Sequence, residues 1–170
     1  MKKIQKGFTL IELMVAIAVV AILLVVGVPS LQRLLNSAEV TSNSNLFSSS
    51  VALARSEAAK RSTAVQVCAS IDQATCSDAD DWDMGWIVQV VATSEIIRVV
   101  EPEGTITVNT NNSAVVVSLD GVVRDDTGAL FSTANTFQFC NVNTPELESV
   151  FLTINPLGAV ASTRSVSACA

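Results

Sequence analysis

The chain has no histidine and no tyrosine among its 170 residues. The commonest general base and the commonest transition-metal ligand are therefore missing. Its serines and threonines have no imidazole to activate them, which removes the Ser–His route to a nucleophile. Positive charge is also scarce. The count is 10 Lys+Arg against 16 Asp+Glu, or 10 − 16 = −6. Three of those ten, Lys2, Lys3 and Lys6, lie before Gly7, and without them the balance is 7 − 16 = −9. Phosphate neutralisation draws on Lys and Arg, so this composition argues against non-specific nucleic-acid binding. The acidic run Asp78, Asp80, Asp81, Asp83 lacks the Gly and the distal Glu of an EF-hand loop. It reads as a solvated loop. No metal site, no cofactor and no catalysis are expected.

Cysteine is present, but no C-x-x-C pair is. Cys68, Cys76, Cys140 and Cys169 allow three pairings, and sequence alone does not choose among them. Without histidine a zinc site would need all four thiolates, at spacings unlike those of a zinc ribbon. Disulfides formed in an oxidising compartment are the expectation. The nearest pairing is Cys68–Cys76, which would leave Cys140–Cys169 to tie down the C-terminus.

What the chain does have is one long apolar run. Positions 8–28 read FTLIELMVAIAVVAILLVVGV, broken only by Thr9, Glu12 and Gly27. As a helix at about 1.5 Å per residue it spans roughly 31 Å, enough to cross a bilayer core. The preceding lysines put the N-terminus in the cytoplasm and the bulk of the chain on the far side. In a bacterium that side is the periplasm, in agreement with disulfides. A secretory signal would need a shorter apolar core and a small-residue cleavage site after it. Here the run meets Val28-Pro29 instead. Glu12 is the exception inside the run, since a charge at bilayer depth costs on the order of 2.5–3.5 kcal/mol. A snorkelling Glu at the helix start is one reading, and a carboxylate awaiting a positive partner is the other.

From Pro29 to about Arg61 the pattern stays helical, with a kink expected at Pro29. Leu31, Leu34, Leu35 and Ala38 share a face. Phe47, Val51, Ala54 and Ala58 form a second stripe, widened by Leu46 and Leu53. Thr41-Ser42-Asn43-Ser44-Asn45, between them, is the weaker helix. Glu57 stands at ion-pair spacing from Lys60 and Arg61. After Thr63 the period changes to two. Strands are expected at Ala64–Ala69, Gly85–Val91, Glu95–Val100, Thr105–Asn109, Ala114–Leu119, Thr136–Cys140, Val150–Ile154 and Ala159–Ala161. Trp86 alternates with Val88 as a core residue. Trp82 either caps that core or faces a partner. The fold class is α+β: a long N-terminal helix packed on an antiparallel β-sheet head.

Gly7-Phe8-Thr9-Leu10-Ile11-Glu12-Leu13 resembles the prepilin peptidase site of type IV pilins and type II secretion pseudopilins. The resemblance implies cleavage between Gly7 and Phe8, N-methylation of Phe8, and pairing of Glu12 with the N-terminal amine of a neighbouring subunit. The implied layout is a leader at 1–7, a transmembrane half-helix at 8–28, an amphipathic half at 29–61 and a periplasmic β-rich head at 62–170. Further along, Ala54-Arg55-Ser56-Glu57-Ala58, Lys60-Arg61, Val67-Cys68-Ala69-Ser70, Gly85-Trp86-Ile87-Val88, Phe137-Gln138-Phe139-Cys140 and Leu152–Gly158 resemble the GspH/FimT/FimU group of minor pilins and pseudopilins.

That likeness implies a β-sandwich-like head and a minor subunit that primes or caps a fibre. The implied partners are prepilin peptidase, other minor pilins or pseudopilins, the major pilin and inner-membrane lipid. The implied location is the bacterial inner membrane, then the tip of a pilus or pseudopilus. Some members bind DNA through a C-terminal Gly-Arg-x-Arg motif. The matching stretch here is Gly158-Ala159-Val160-Ala161, with Arg164 the one nearby cation in sequence. The missing arginines argue against DNA binding.

Overall fold

The computed structural model describes residues 8–131, 135–143 and 148–167. The chain divides into two compact units, Met1–Leu35 and Asn36–Ala170. One helix, α1 (Leu10–Arg61), begins in the first and ends in the second, and its assignment continues through Pro29.

Within the second unit the weak-helix stretch is helical. Its hydroxyls bond back to the preceding turn: Thr41 donates to the Ser37 carbonyl (2.8 Å), Ser44 to Thr41 (2.9 Å) and Ser48 to Ser44 (2.9 Å). Such local bonds normally compete with helix, but here they are made within it. The helix stops at Ser62, whose φ of 50° is left-handed. The Thr63 N–H then returns to the Ala58 carbonyl at 3.3 Å. That is a Schellman ending with serine in the place usually held by glycine.

Among the described residues nine strands follow: β1 (Val65–Ala69), β2 (Trp86–Val90), β3 (Ile96–Val100), β4 (Ile106–Asn109), β5 (Ala114–Val117), β6 (Val123–Asp125), β7 (Thr136–Asn141), β8 (Glu148–Ile154) and β9 (Val160–Val166). They form a five-stranded sheet, β3-β2-β1-β5-β6, and a four-stranded sheet, β4-β7-β8-β9. All the pairings are antiparallel.

β6 has no counterpart in the sequence pattern. It is three residues long and lies between two Asp/Gly turns, so it shows no period. It forms because Val123 pairs with Val117 and is wholly buried. β9 runs five residues past its expected end at Ala161. Val-Ala-Ser-Thr-Arg-Ser-Val has no apolar alternation, and the strand is held by its backbone ladder to β8. Edge strands of this kind carry little hydrophobic signal.

The core joins α1 to both sheets. Phe47, Val51, Ala54 and Ala58 are buried, as are Val67, Trp86 and Val88 of one sheet and Phe137, Phe139 and Leu152 of the other. Phe47 is the hub. Its ring centroid lies 5.4 Å from Trp82, 5.6 Å from Trp86, 4.5 Å from Phe137 and 5.7 Å from Phe139.

The acidic run departs from its expected form. Ala79–Met84 is a 3-10 turn, and Trp82 within it is completely buried, its indole N–H bonded to the Asn112 carbonyl at 2.8 Å. Burying the tryptophan draws its neighbour inward. Asp83 is half-buried and accepts the Val108 N–H at 2.6 Å. Burial pushes the Asp83 carboxyl above its ordinary range, opposed by the bonds from Val108 and Thr107.

Replacing Phe47 by alanine should lower unfolding free energy by about 3–5 kcal/mol, the range for a fully buried phenylalanine. Urea denaturation of the detergent-solubilised chain measures it. A loss under about 1 kcal/mol would show that the ring is not the hub.

Candidate assembly segment

The described side chains of the apolar N-terminal segment are exposed. Phe8 is 84% exposed, and none of the described residues in the most apolar stretch of α1 is buried. By length and composition it can cross a membrane. Leu31, Leu34 and Leu35 are likewise exposed.

Helix α1 opens with a local cap. The Thr9 hydroxyl accepts the Glu12 N–H at 3.3 Å, and the Thr9 carbonyl accepts the Leu13 N–H at 3.2 Å. Glu12 is thereby placed in the first turn, where the unpaired N–H groups favour an anion. Its side chain is exposed, and among the described residues no cation is within ion-pair distance of it. Gly7, on the other side of the expected cut, and the three leader lysines lie outside the described residues.

The head is fastened at several points. Cys68 and Cys76 form a disulfide with Cα atoms 5.5 Å apart. Cys140 is disulfide-bonded as well. Cys169 lies outside the described residues. The Cys76 sulfur accepts from Gln66 at 3.1 Å and Gln89 at 2.9 Å, a cross-strand pair on β1 and β2. Cys68, Ile87 and Ala114, paired across β1, β2 and β5, form a small buried apolar cluster of their own. Inside the 68–76 loop, N–H groups of Ala74 and Thr75 and hydroxyls of Thr75 and Ser70 hold the Asp72 carboxylate well below its usual range.

Arg164 lies on β9 opposite Val150, and it donates to the Thr41 hydroxyl of α1 at 3.2 Å. The fold brings a second arginine to the Gly158 turn that the linear reading did not place there. Arg55 donates to the Gly158 carbonyl at 3.3 Å, and its side chain fills the space that a Cβ at Gly158 would need. Gly158 itself has φ +73°. Both arginines are thus tied to the head's own frame. Glu57 pairs with Lys60 (3.3 Å) and Arg61 (2.7 Å) as its spacing predicts, and Arg61 reaches on to Glu95 (2.9 Å).

Asn43 is the residue sequence reasoning missed. It is completely buried. Its amide donates to the Glu39 and Glu103 carbonyls (2.9 and 2.8 Å), and its oxygen accepts the Glu103 N–H (3.1 Å). One side chain therefore clips α1 to the loop after β3. Next to it, Gly104 has φ +83°, and a Cβ there would run into the Glu39 carboxylate. A signal existed: Asn43 is in phase with Phe47, Val51 and Ala54.

The family model described as "Type II transport protein GspH" matches residues 43–158. The chain belongs to the GspH family. This is a family of minor pilins and pseudopilins, structural subunits of type IV pili or type II secretion systems. A second model, the prokaryotic N-terminal methylation motif, matches residues 2–28. Membership implies processing by prepilin peptidase and assembly with other pilins. The GspH-family chain is also similar in fold to the type IV minor pilin FimU of Pseudomonas aeruginosa strain PAO1. One crystal form gives a TM-score of 0.56 at 19% identity, covering 78% of this chain and 94% of that one. Another gives 0.52 at 20%, covering 76% and 96%. At that identity the likeness shows the fold. No curated protein sequence matches the chain.

Asp72 generates a pH prediction. Its folded pKa is depressed, so its stabilisation is complete above the unfolded value of about 3.9 and fades as pH falls below it. The melting-temperature gap between the native chain and Asp72→Ala should be full at neutral pH and shrink in acid. A gap that does not change with pH would contradict this.

Proposed function

We propose that this GspH-family protein is a minor type IV pilin that primes or caps fibre assembly at the inner membrane. Prepilin peptidase cuts between Gly7 and Phe8, and Phe8 becomes the N-methylated terminus. Residues 8–28 hold the subunit in the membrane, 29–61 continue the helix, and the head at 62–170 lies in the periplasm. Glu12 then pairs with the amine of a neighbouring subunit as the helices pack. The observation that carries this reading is the contrast along α1. Its second half is covered by the chain's own sheets, whereas its first half is apolar, uncovered and marked by one carboxylate. Burial of that carboxylate in a fibre is tolerable only beside a positive partner.

A second reading is a minor pseudopilin of a type II secretion system. The description of the matching family model favours it. DNA capture has less support, because Arg164 and Arg55 both hold internal contacts and the composition is acidic.

Mass spectrometry of assembled material should show N-methylated Phe8 as the first residue, and an intact Met1 would refute the processing step. Glu12→Ala should keep its membrane level while its recovery in sheared fibres falls. A broken buried pair costs about 3–5 kcal/mol, so the fall should exceed an order of magnitude. Normal incorporation would contradict the pairing.

A further inference from the structure

The four-stranded sheet has one face in the core and one turned away from it. Phe137, Phe139, Val150 and Leu152 point inward. Strand alternation therefore turns Asn109, Gln138, Phe151 and Thr163 outward, and register sets them side by side across β4, β7, β8 and β9. The strand residues sharing this outer face are Thr, Asn, Gln, Ser, Ala, Cys and Phe. In a chain with a net charge of −6 this face has no Asp, Glu, Lys or Arg among those strand positions.

A cavity of about 350 Å³ opens here, between the row and the loop after β4. The volume lies within the range of small-ligand sites, about 300–1,000 Å³. Its lining combines amides (Asn109, Asn112, Asn135, Gln138), the Thr110 hydroxyl and the Phe151 ring, and no charged side chain lines it among the described residues. Asn112 and Gln138 are more than nine-tenths buried.

The rim is held in place. The Asn112 amide donates to the Thr110 hydroxyl at 3.2 Å, and its oxygen accepts from Asn135 at 2.8 Å. The Asn112 carbonyl is fixed by the buried Trp82 indole. Gln138 donates to Ser149 and Ser167 hydroxyls, each at 3.2 Å. Such preorganisation lowers the ordering cost of binding.

We propose that this cavity binds a neutral carbohydrate. Amides and hydroxyls each donate and accept, which suits a ligand whose hydroxyls do the same. An ionic ligand would be desolvated against a wall with no counter-charge. The Phe151 ring adds a flat apolar surface for the C–H face of a pyranose ring. This site is independent of whether the fibre is a pilus or a secretion pseudopilus.

The test uses the full chain in a zwitterionic detergent that has no sugar headgroup. Lactose, maltotriose and N,N′-diacetylchitobiose are titrated by calorimetry, with a sulfated heparin disaccharide as the charged comparison. At least one neutral saccharide should bind with a Kd below about 10 mM, and Phe151→Ala and Asn135→Asp should each weaken it at least about tenfold. In the native chain the same saccharide should move the side-chain amide NMR signals of Asn109, Asn112 and Gln138, a readout that does not depend on the variants folding. The proposal is overturned if none of the three binds, if the sulfated disaccharide binds equally well, or if binding leaves those amide signals unmoved.

Discussion

Phe47 sits where α1 meets both sheets, and the head depends on that packing. A strand pair or a small sheet has little stability unless a face is covered. Here one helical stripe covers two sheets at once. The aromatic rings around Phe47 come from the 3-10 turn, the adjoining β2 and the β7 strand far along the chain. Trp86 shows how polar groups are satisfied in this core. Its indole N–H donates to the Ser50 hydroxyl at 2.9 Å, and both residues are buried. The serines that weaken the helix by propensity thus serve as acceptors within the core or bond back along the helix.

The same helix has opposite surface chemistry in its two units. From Val40 onward its apolar positions meet the chain's own sheets. From Phe8 to Leu35 the described apolar side chains are exposed. An apolar surface of that extent marks membrane or partner contact rather than a free soluble surface. Glu12 is the one carboxylate in the segment, set in its most apolar stretch.

The fastenings of the head have different physical origins. Asn43 clips the helix by hydrogen bonds, Arg55 and Arg164 tie it to the β8–β9 region, and the Cys68–Cys76 bridge closes the loop after β1. The outer face of the other sheet is uncharged and polar, with a preorganised cavity. Such a face is not needed to close the core, since Phe137, Phe139 and Leu152 do that from the opposite side.

Periodicity alone determined the long helix, its buried stripe and most strands, because burial of one face imposes a repeat of 3.6 or 2 on the residues. The leader motif was legible because it is a local pattern, and Glu12 because it is a lone carboxylate in an apolar run. β6, the length of β9 and the 3-10 turn were not legible, because backbone pairing and the burial of Trp82 decide them without leaving a period. Asn43 looked like a weak point of the helix, yet the loop after β3 makes it a clip. Arg55 carried no sign of a distant partner, yet the Gly158 turn folds against it. Which pairs meet across such distances depends on the packing of both sheets on α1, and that exists only in the tertiary structure.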